Sequence, residues 1–227
     1  MNLNAAPKRT KTAPVIAGFW LSFTLAGVLV VPGCAKNPAD GKTAAEVKDP
    51  GINPTATTAP QPTARTYTLT EDSTIGFFAS KVTGSHNGGF KKFSGDFAVA
   101  DGALTGPGHK VVIEMNSAWA DNDRLTGHLK SPDFFNVGAF PQAIFELTGS
   151  EKAGASKVKV TGNLTLHGVT KQISFPADLT VNGDRAALKA EFFIKRFDFG
   201  IKYPGKANDL IRDEVVIKLD MKATARG

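Results

Sequence analysis

Cysteine occurs once in the 227 residues, so the chain can build neither a disulfide framework nor a thiolate zinc cluster. Trp and Tyr number 2 each against 16 Phe. The aromatic bulk therefore comes almost without polar handles, which suits a greasy interior. The 4 His are scattered and give no indication of a multi-His metal site. Catalytic signatures are missing too: there is no GxSxG, no HExxH and no GxxxxGK before Ser or Thr. Ser85 beside His86 sits among glycines and reads as loop. Asp121, Asp123 and Asp133 fail as a calcium loop, because Thr126 stands where Gly is needed and Pro132 where Glu is needed.

Positive charge is less abundant than the net +6 suggests. Residues 1–33 hold Lys8, Arg9 and Lys11 and no acid, and without them 24 basic residues face 21 acidic ones, a net of +3. Nucleic-acid binding loses its main support. Long apolar runs are absent except from Val15 to Val31, 17 uncharged residues preceded by the basic cluster. A basic start, an apolar stretch and small residues predict an export signal over 1–33. The run ends in Val31-Pro32-Gly33-Cys34, which resembles a bacterial lipobox and makes Cys34 the candidate for lipidation. An uncleaved anchor with an incidental Cys is the alternative, at the lower length limit for spanning a bilayer. The expected location is the cell envelope, on the periplasmic face of a membrane. Ala35 after the Cys, where an Asp would favour inner-membrane retention, points to the outer membrane.

From Ala35 to Arg65 the composition shifts to 7 Ala, 5 Pro and 5 Thr, with Val47 and Ile52 the only sizeable apolar groups. Such a stretch buries too little to offset its ordering entropy, so residues 34–65 are expected to be a disordered tether. Residues 66–227 then form the folded part. Period-two alternation dominates there, as in Val158/Val160/Gly162/Leu164/Leu166 against Lys157/Lys159/Thr161/Asn163/Thr165, which marks a strand with one apolar and one wet face. Eight or nine such strands follow one another. One interruption looks helical: Asp121-Asn122 can cap a turn or two carrying Leu125 and Leu129, and Ser131-Pro132 can start a second short piece with Phe134 and Phe135. There is no βαβ rhythm, so the class is all-β and antiparallel. Pattern alone leaves sandwich and barrel open; an eight-stranded barrel can hold one small ligand.

Specific strings then narrow the choice. Ser73-Thr-Ile-Gly-Phe77, Phe90-Lys-Lys-Phe-Ser-Gly-Asp96, His128-Leu-Lys-Ser-Pro-Asp-Phe-Phe135, Val160-Thr-Gly-Asn-Leu-Thr-Leu-His-Gly-Val-Thr-Lys171 and Ile194-Lys-Arg-Phe-Asp-Phe-Gly200 occur in this order. Together they resemble the YceI-like family, exported bacterial proteins whose lipocalin-like barrel holds isoprenoid or other long-chain amphiphiles. The resemblance spans residues 66–225. It implies an eight-stranded antiparallel barrel with a short helical piece, a dry tunnel for a prenyl or acyl tail, no cofactor, no catalysis, and dimers in some members. Two features depart from it: the Tyr203–Arg212 link before the last strand, and the lipid anchor.

The lining candidates are Phe77, Phe90, Phe93, Phe134, Phe135, Phe145, Leu164, Leu166, Phe175, Phe192 and Ile194. These side chains could instead fill the barrel solid, but Ala79, Gly162, Ala177 and Ala190 share their faces and leave room along the axis. His128, His167 and Arg196 are the candidates for touching a polar headgroup. Against that, either His can simply cap a turn, and Arg196 can pair with Asp198 to pin the rim. Two other functions remain: an enzyme acting on a bound lipid, with His128 as base oriented by Asp133 or Arg124, and a solid-cored interaction module.

Overall fold

The computed structural model describes residues 36–50, 64–106 and 108–227. The leader and Cys34 lie outside the described residues. In chain order the elements are β1 (Thr43–Ala44), β2 (Glu46–Lys48), β3 (Arg65–Leu69), β4 (Thr74–Lys81), β5 (Gly84–Phe90), β6 (Phe93–Ala100), β7 (Ala103–Thr105), β8 (Lys110–Glu114), β9 (Ala118–Ala120), α1 (Asp123–Leu129), β10 (Gln142–Lys152), β11 (Lys157–Leu166), β12 (Val169–Asn182), β13 (Arg185–Lys195), β14 (Gly205–Lys206) and β15 (Asp209–Ala225).

One apolar face per strand forces the sheet to roll up around it. The staves are β3 with β4, β5 with β6, β7 to β9, then β10, β11, β12, β13 and β15. Each pairs antiparallel with the next in sequence. The last stave, β15, pairs with β13 from Arg185↔Thr224 to Lys195↔Glu214 and with β3 and β4 on its other edge. The result is a closed, eight-stranded, antiparallel barrel, which decides the question that alternation left open. Buried Val158, Val160, Ile173, Phe175 and Phe192 belong to one continuous core, each contributing about 1.5–3 kcal/mol by leaving water.

Two of the staves are broken. At Thr70–Ser73 the first bends towards β15: Thr70 N–H donates to Lys222 O at 2.8 Å, and Ser73 Oγ donates to the same oxygen at 2.9 Å. At Lys91–Lys92 the second bends the opposite way: Lys91 N–H donates to Ser117 O at 3.2 Å and Lys92 N–H to Ser117 Oγ at 3.0 Å. Each break is thus tied to the neighbour on its far side. The ladder between the first two staves holds over Arg65–Thr68 and Ile75–Lys81 but lapses in between.

A second interruption is filled. The β12–β13 ladder runs only from Asp178↔Lys189 to Asn182↔Arg185. Beyond it β1 pairs parallel with β13 (Thr43↔Phe192, Ala44↔Phe193) and β2 antiparallel with β12 (Glu46↔Ser174, Val47↔Ile173, Lys48↔Gln172). Residues 43–48 therefore act as an inserted ninth strand. Ala45 is buried, Val47 packs on the core, and Ala45 N–H donates to Phe193 O at 2.8 Å. Outside, Lys42–Glu191 (3.0 Å), Glu46–Lys159 (2.7 Å) and Asp49–Lys171 (2.8 Å) fasten the segment. This corrects the expectation of a disordered tether for residues 36–50: open backbone edges on two staves provide the hydrogen bonds that the segment's own composition cannot.

Smaller differences concern local chemistry. Asn122, whose Oδ1 accepts from Leu125 N–H at 3.0 Å, caps a single helix α1. The second helical piece expected from Ser131 is a run of turns. The short β14 hairpins onto the start of β15, which gives the Tyr203–Arg212 link its form. At one end of the barrel Tyr67 is 2 % exposed, stacks on Phe97, and donates its hydroxyl to Gly183 O at 3.1 Å. The other end is covered by α1 and the segment after it: Leu129, Phe134 and Ile201 cluster there over Phe77.

Candidate functional site

Between these two ends lies a cavity of about 230 Å³. Its floor is Phe97, Leu104, Leu188 and Met221; its walls include Phe145, Leu164, Phe175, Phe192 and Ile194; its roof is Phe77, Phe90, Phe134, Phe135 and Leu166. Ten of the eleven sequence-predicted lining residues therefore border it. The exception is Phe93, which lies in an outer groove.

Glycine helps explain why the eight Phe that border the cavity do not fill it. A Cβ on Gly162 would stand 2.3 Å from Phe145 Cζ, and one on Gly88 would stand 2.2 Å from Phe77 Cζ. The tips of both rings press against wall backbone that carries no side chain, where any Cβ would push them towards the axis. Ala79 also borders the void, whereas Ala177 and Ala190 do not. A single water needs roughly 10–15 Å³ in such a space, and apolar cavities of this order stay dry and accept apolar guests.

Polar candidates fall away from this space. His128 lies outside the roof, its Nε2 2.8 Å from Asp133 Oδ2, with ring-edge contacts to Phe134 and Tyr203; it does not border the cavity, and Arg124 is exposed. His167 (φ +51°) and Gly168 (φ +76°) form the two-residue loop joining β11 to β12, a hairpin turn that demands positive φ at both positions. The His167 Nδ1 lies 3.3 Å from Phe199 O, and its ring packs on Phe140. Its conformation and contacts are those of a turn residue. Arg196 does border the cavity, but three of its five N–H donors serve backbone: Nε reaches Arg212 O (3.0 Å), Nη1 Ile201 O (2.7 Å) and Nη2 Ile211 O (3.1 Å). Burial pulls its pKa down, and Asp213 opposes that. The expected pairing with Asp198 is not made; Asp213 is the acid in its surroundings.

Alternation did not reveal the polar cluster at the cavity's lower edge. His109 Nδ1 lies 2.7 Å from Asp96 Oδ1, and Arg226 Nη2 donates to Asp96 Oδ2 at 3.1 Å. His109 belongs to the irregular link between β7 and β8, where no period exists to place it. His86 Nδ1 meets Asp121 Oδ1 at 2.8 Å in the same manner. The Asp121 carboxyl is held below its ordinary value, chiefly by accepting the Asn87 N–H. Among the described residues no three His, Cys, Asp or Glu side chains are grouped to hold a metal. This arrangement can take a hydrocarbon chain, and polar groups stand only at its border, at Asp96, His109, Lys110 and Arg196.

Comparison with known proteins gives the same fold. The sequence model of the YceI-like domain matches residues 67–223. A UPF0312 protein of Pseudomonas putida is 31% identical over 138 residues, covering 58% of this chain and 72% of the relative. Among solved structures, BcnA of Burkholderia cenocepacia superposes with a TM-score of 0.61 at 24% identity, over 67% of this chain and 96% of that one. A domain from Saccharophagus degradans described as polyisoprenoid-binding superposes with a TM-score of 0.58 at 20% identity, over 70% and 98%.

Proposed function

The chain belongs to the YceI-like domain family, and we propose that it binds a long-chain amphiphile, a polyisoprenoid or a fatty-acid derivative, with the tail inside the barrel. The observation that carries this reading is the axial cavity bordered mainly by Phe and aliphatic side chains. The polyisoprenoid-binding description of the S. degradans domain supports the tail class. Each buried methylene contributes about 0.8 kcal/mol, so a few isoprene units suffice for micromolar binding without polar contacts. Binding is preferred to catalysis because His128, although oriented by Asp133, does not border the cavity, and Arg196, which does, directs donors to three backbone carbonyls.

The test is native mass spectrometry of the full chain purified from a bacterial host, followed by organic extraction. A discrete mass excess that extracts as a prenyl or acyl compound supports the reading. A bare polypeptide that also takes up no hydrophobic dye overturns it. We further propose that the protein works in the cell envelope, held by a lipid on Cys34; the basic-then-apolar leader and the Val31–Cys34 string support this. Metabolic labelling with a radioactive fatty acid checks it: label is expected in the natural chain and lost in Cys34→Ser.

A further inference from the structure

The cavity must exchange its guest with the outside, yet both ends of the barrel are plugged, by Tyr67 and Phe97 at one end and by α1 with Phe134 and Ile201 at the other. The slot between β12 and β13 is occupied by residues 43–48. What remains is the lapse between the first two staves, where Thr70–Ser73 and Lys91–Lys92 are drawn apart. An outer groove of about 1030 Å³ lies over this lapse. Groove and inner cavity share Leu69, Ile75, Phe77, Phe90 and Leu219, so a single layer of side chains separates solvent from the tunnel.

The groove differs in chemistry from the tunnel. Lys91 and Lys92 line one lip, both exposed and, among the described residues, without an ion-pair partner. Glu71 stands on the other lip. The remaining charges are engaged: Lys218 lies 3.6 Å from Glu191, and Asp220 3.4 Å from Lys189. Trp119, 37 % exposed, closes one side, its Nε1 only 3.1 Å from where a Cβ on Gly89 would be. An indole and two lysines in one groove suit the boundary between an apolar tail and an anionic head.

We propose that this lateral slit is the mouth of the tunnel and that the groove is the headgroup site, selecting amphiphiles whose polar end is a carboxylate or phosphate held by Lys91 and Lys92. The proposal rests on the tail-in-barrel reading. Its geometry explains how the tunnel can be so poor in polar groups: the head never enters. Gating belongs to Phe77 and Phe90, whose rings lie 6.0 Å apart, tilted at 57°, just inside the slit.

The test follows uptake of cis-parinaric acid by stopped-flow fluorescence, using the full chain and its variants. Ser94→Trp crowds the groove from an exposed position, and Lys91→Glu with Lys92→Glu reverses its charge. Asp133→Trp adds equal bulk outside the roof as the control, and melting curves verify that each variant folds. The expected result is at least about tenfold slower uptake for the charge reversal, the scale of electrostatic steering, slower uptake for Ser94→Trp by steric block, and Asp133→Trp unchanged. The methyl ester of the same probe should be slowed by Ser94→Trp but indifferent to the charge reversal. Carboxylate uptake unaffected by both groove variants, or slowed only by Asp133→Trp, overturns the proposal. If the unmodified chain takes up neither acid nor ester, the tail-binding reading fails instead. The two failures are thereby told apart.

Discussion

At the scale of single residues, what is missing beneath a ring matters as much as the ring. Gly162 gives the tip of the Phe145 ring bare backbone to press against, and a Cβ there would also lie 2.6 Å from Glu146 O, a main-chain atom that cannot swing aside. Gly162→Ala should therefore cost roughly 1–3 kcal/mol, seen as a lowered urea midpoint, and should weaken tail binding by pushing Phe145 onto the axis. Arg196→Met removes the donors to three carbonyls near the roof. Each carbonyl left unpaired costs roughly 1–3 kcal/mol, so denaturant unfolding should show a loss of several kcal/mol. Arg196→Lys should recover only part of it, because one ammonium cannot span acceptors that a guanidinium fork reaches together. The sequence announces an Arg near a strand end and a His before a Gly. It does not announce that the Arg serves backbone or that the His adopts φ +51°, since the first depends on where the carbonyls of Ile201, Ile211 and Arg212 come to lie and the second on the register that leaves a two-residue loop between β11 and β12.

At the scale of elements, the strands were legible and their interruptions were not. Alternation identifies β11, β12, β13 and β15 almost residue by residue, because each has one face in the core. It carries no sign of the breaks at Thr70–Ser73 and Lys91–Lys92, which depend on partners at Lys222 and Ser117. The inserted strand was hidden for a different reason. Its inward residues are only Ala45 and Val47, a signal diluted by the surrounding Ala, Pro and Thr. This element is held by backbone pairing on both edges and fastened outside by exposed ion pairs, and the latter make it sensitive to acid. The Glu46 carboxyl lies below its ordinary value through its hydrogen bond from Lys159, and Asp49 likewise through Lys171. Depressed carboxyl pKa values stabilise docking above the unfolded values of about 4 and lose that contribution as pH falls through the folded ones. Hydrogen exchange should thus show the amides of residues 43–48 protected at pH 7, with protection falling below about pH 4 while β11 and β15 remain protected. Ala45→Asp, which puts a carboxylate against the core, should release the same segment already at neutral pH.

At the scale of the whole molecule, a barrel filled by a guest gains what the empty cavity lacks. A ligand that binds only the folded state adds RT ln(1 + [L]/Kd), about 2.7 kcal/mol at a hundredfold excess over Kd. A polyprenyl or long acyl compound should accordingly raise the melting temperature by several degrees, with the shift growing with tail length. Short-chain analogues should do nothing measurable. Closure of the ring, which pattern could not predict, also sets a timetable. Tyr67 pairs with Ala225, and Thr43 with Phe192, so the earliest strands of the chain must wait for the latest. Pairings of such long range are slow to form, and during biosynthesis the ring cannot shut until the final stave has left the ribosome. The growing polypeptide consequently passes most of its synthesis as a set of open hairpins that can still be threaded through a pore, and it becomes a sealed container only in its last step.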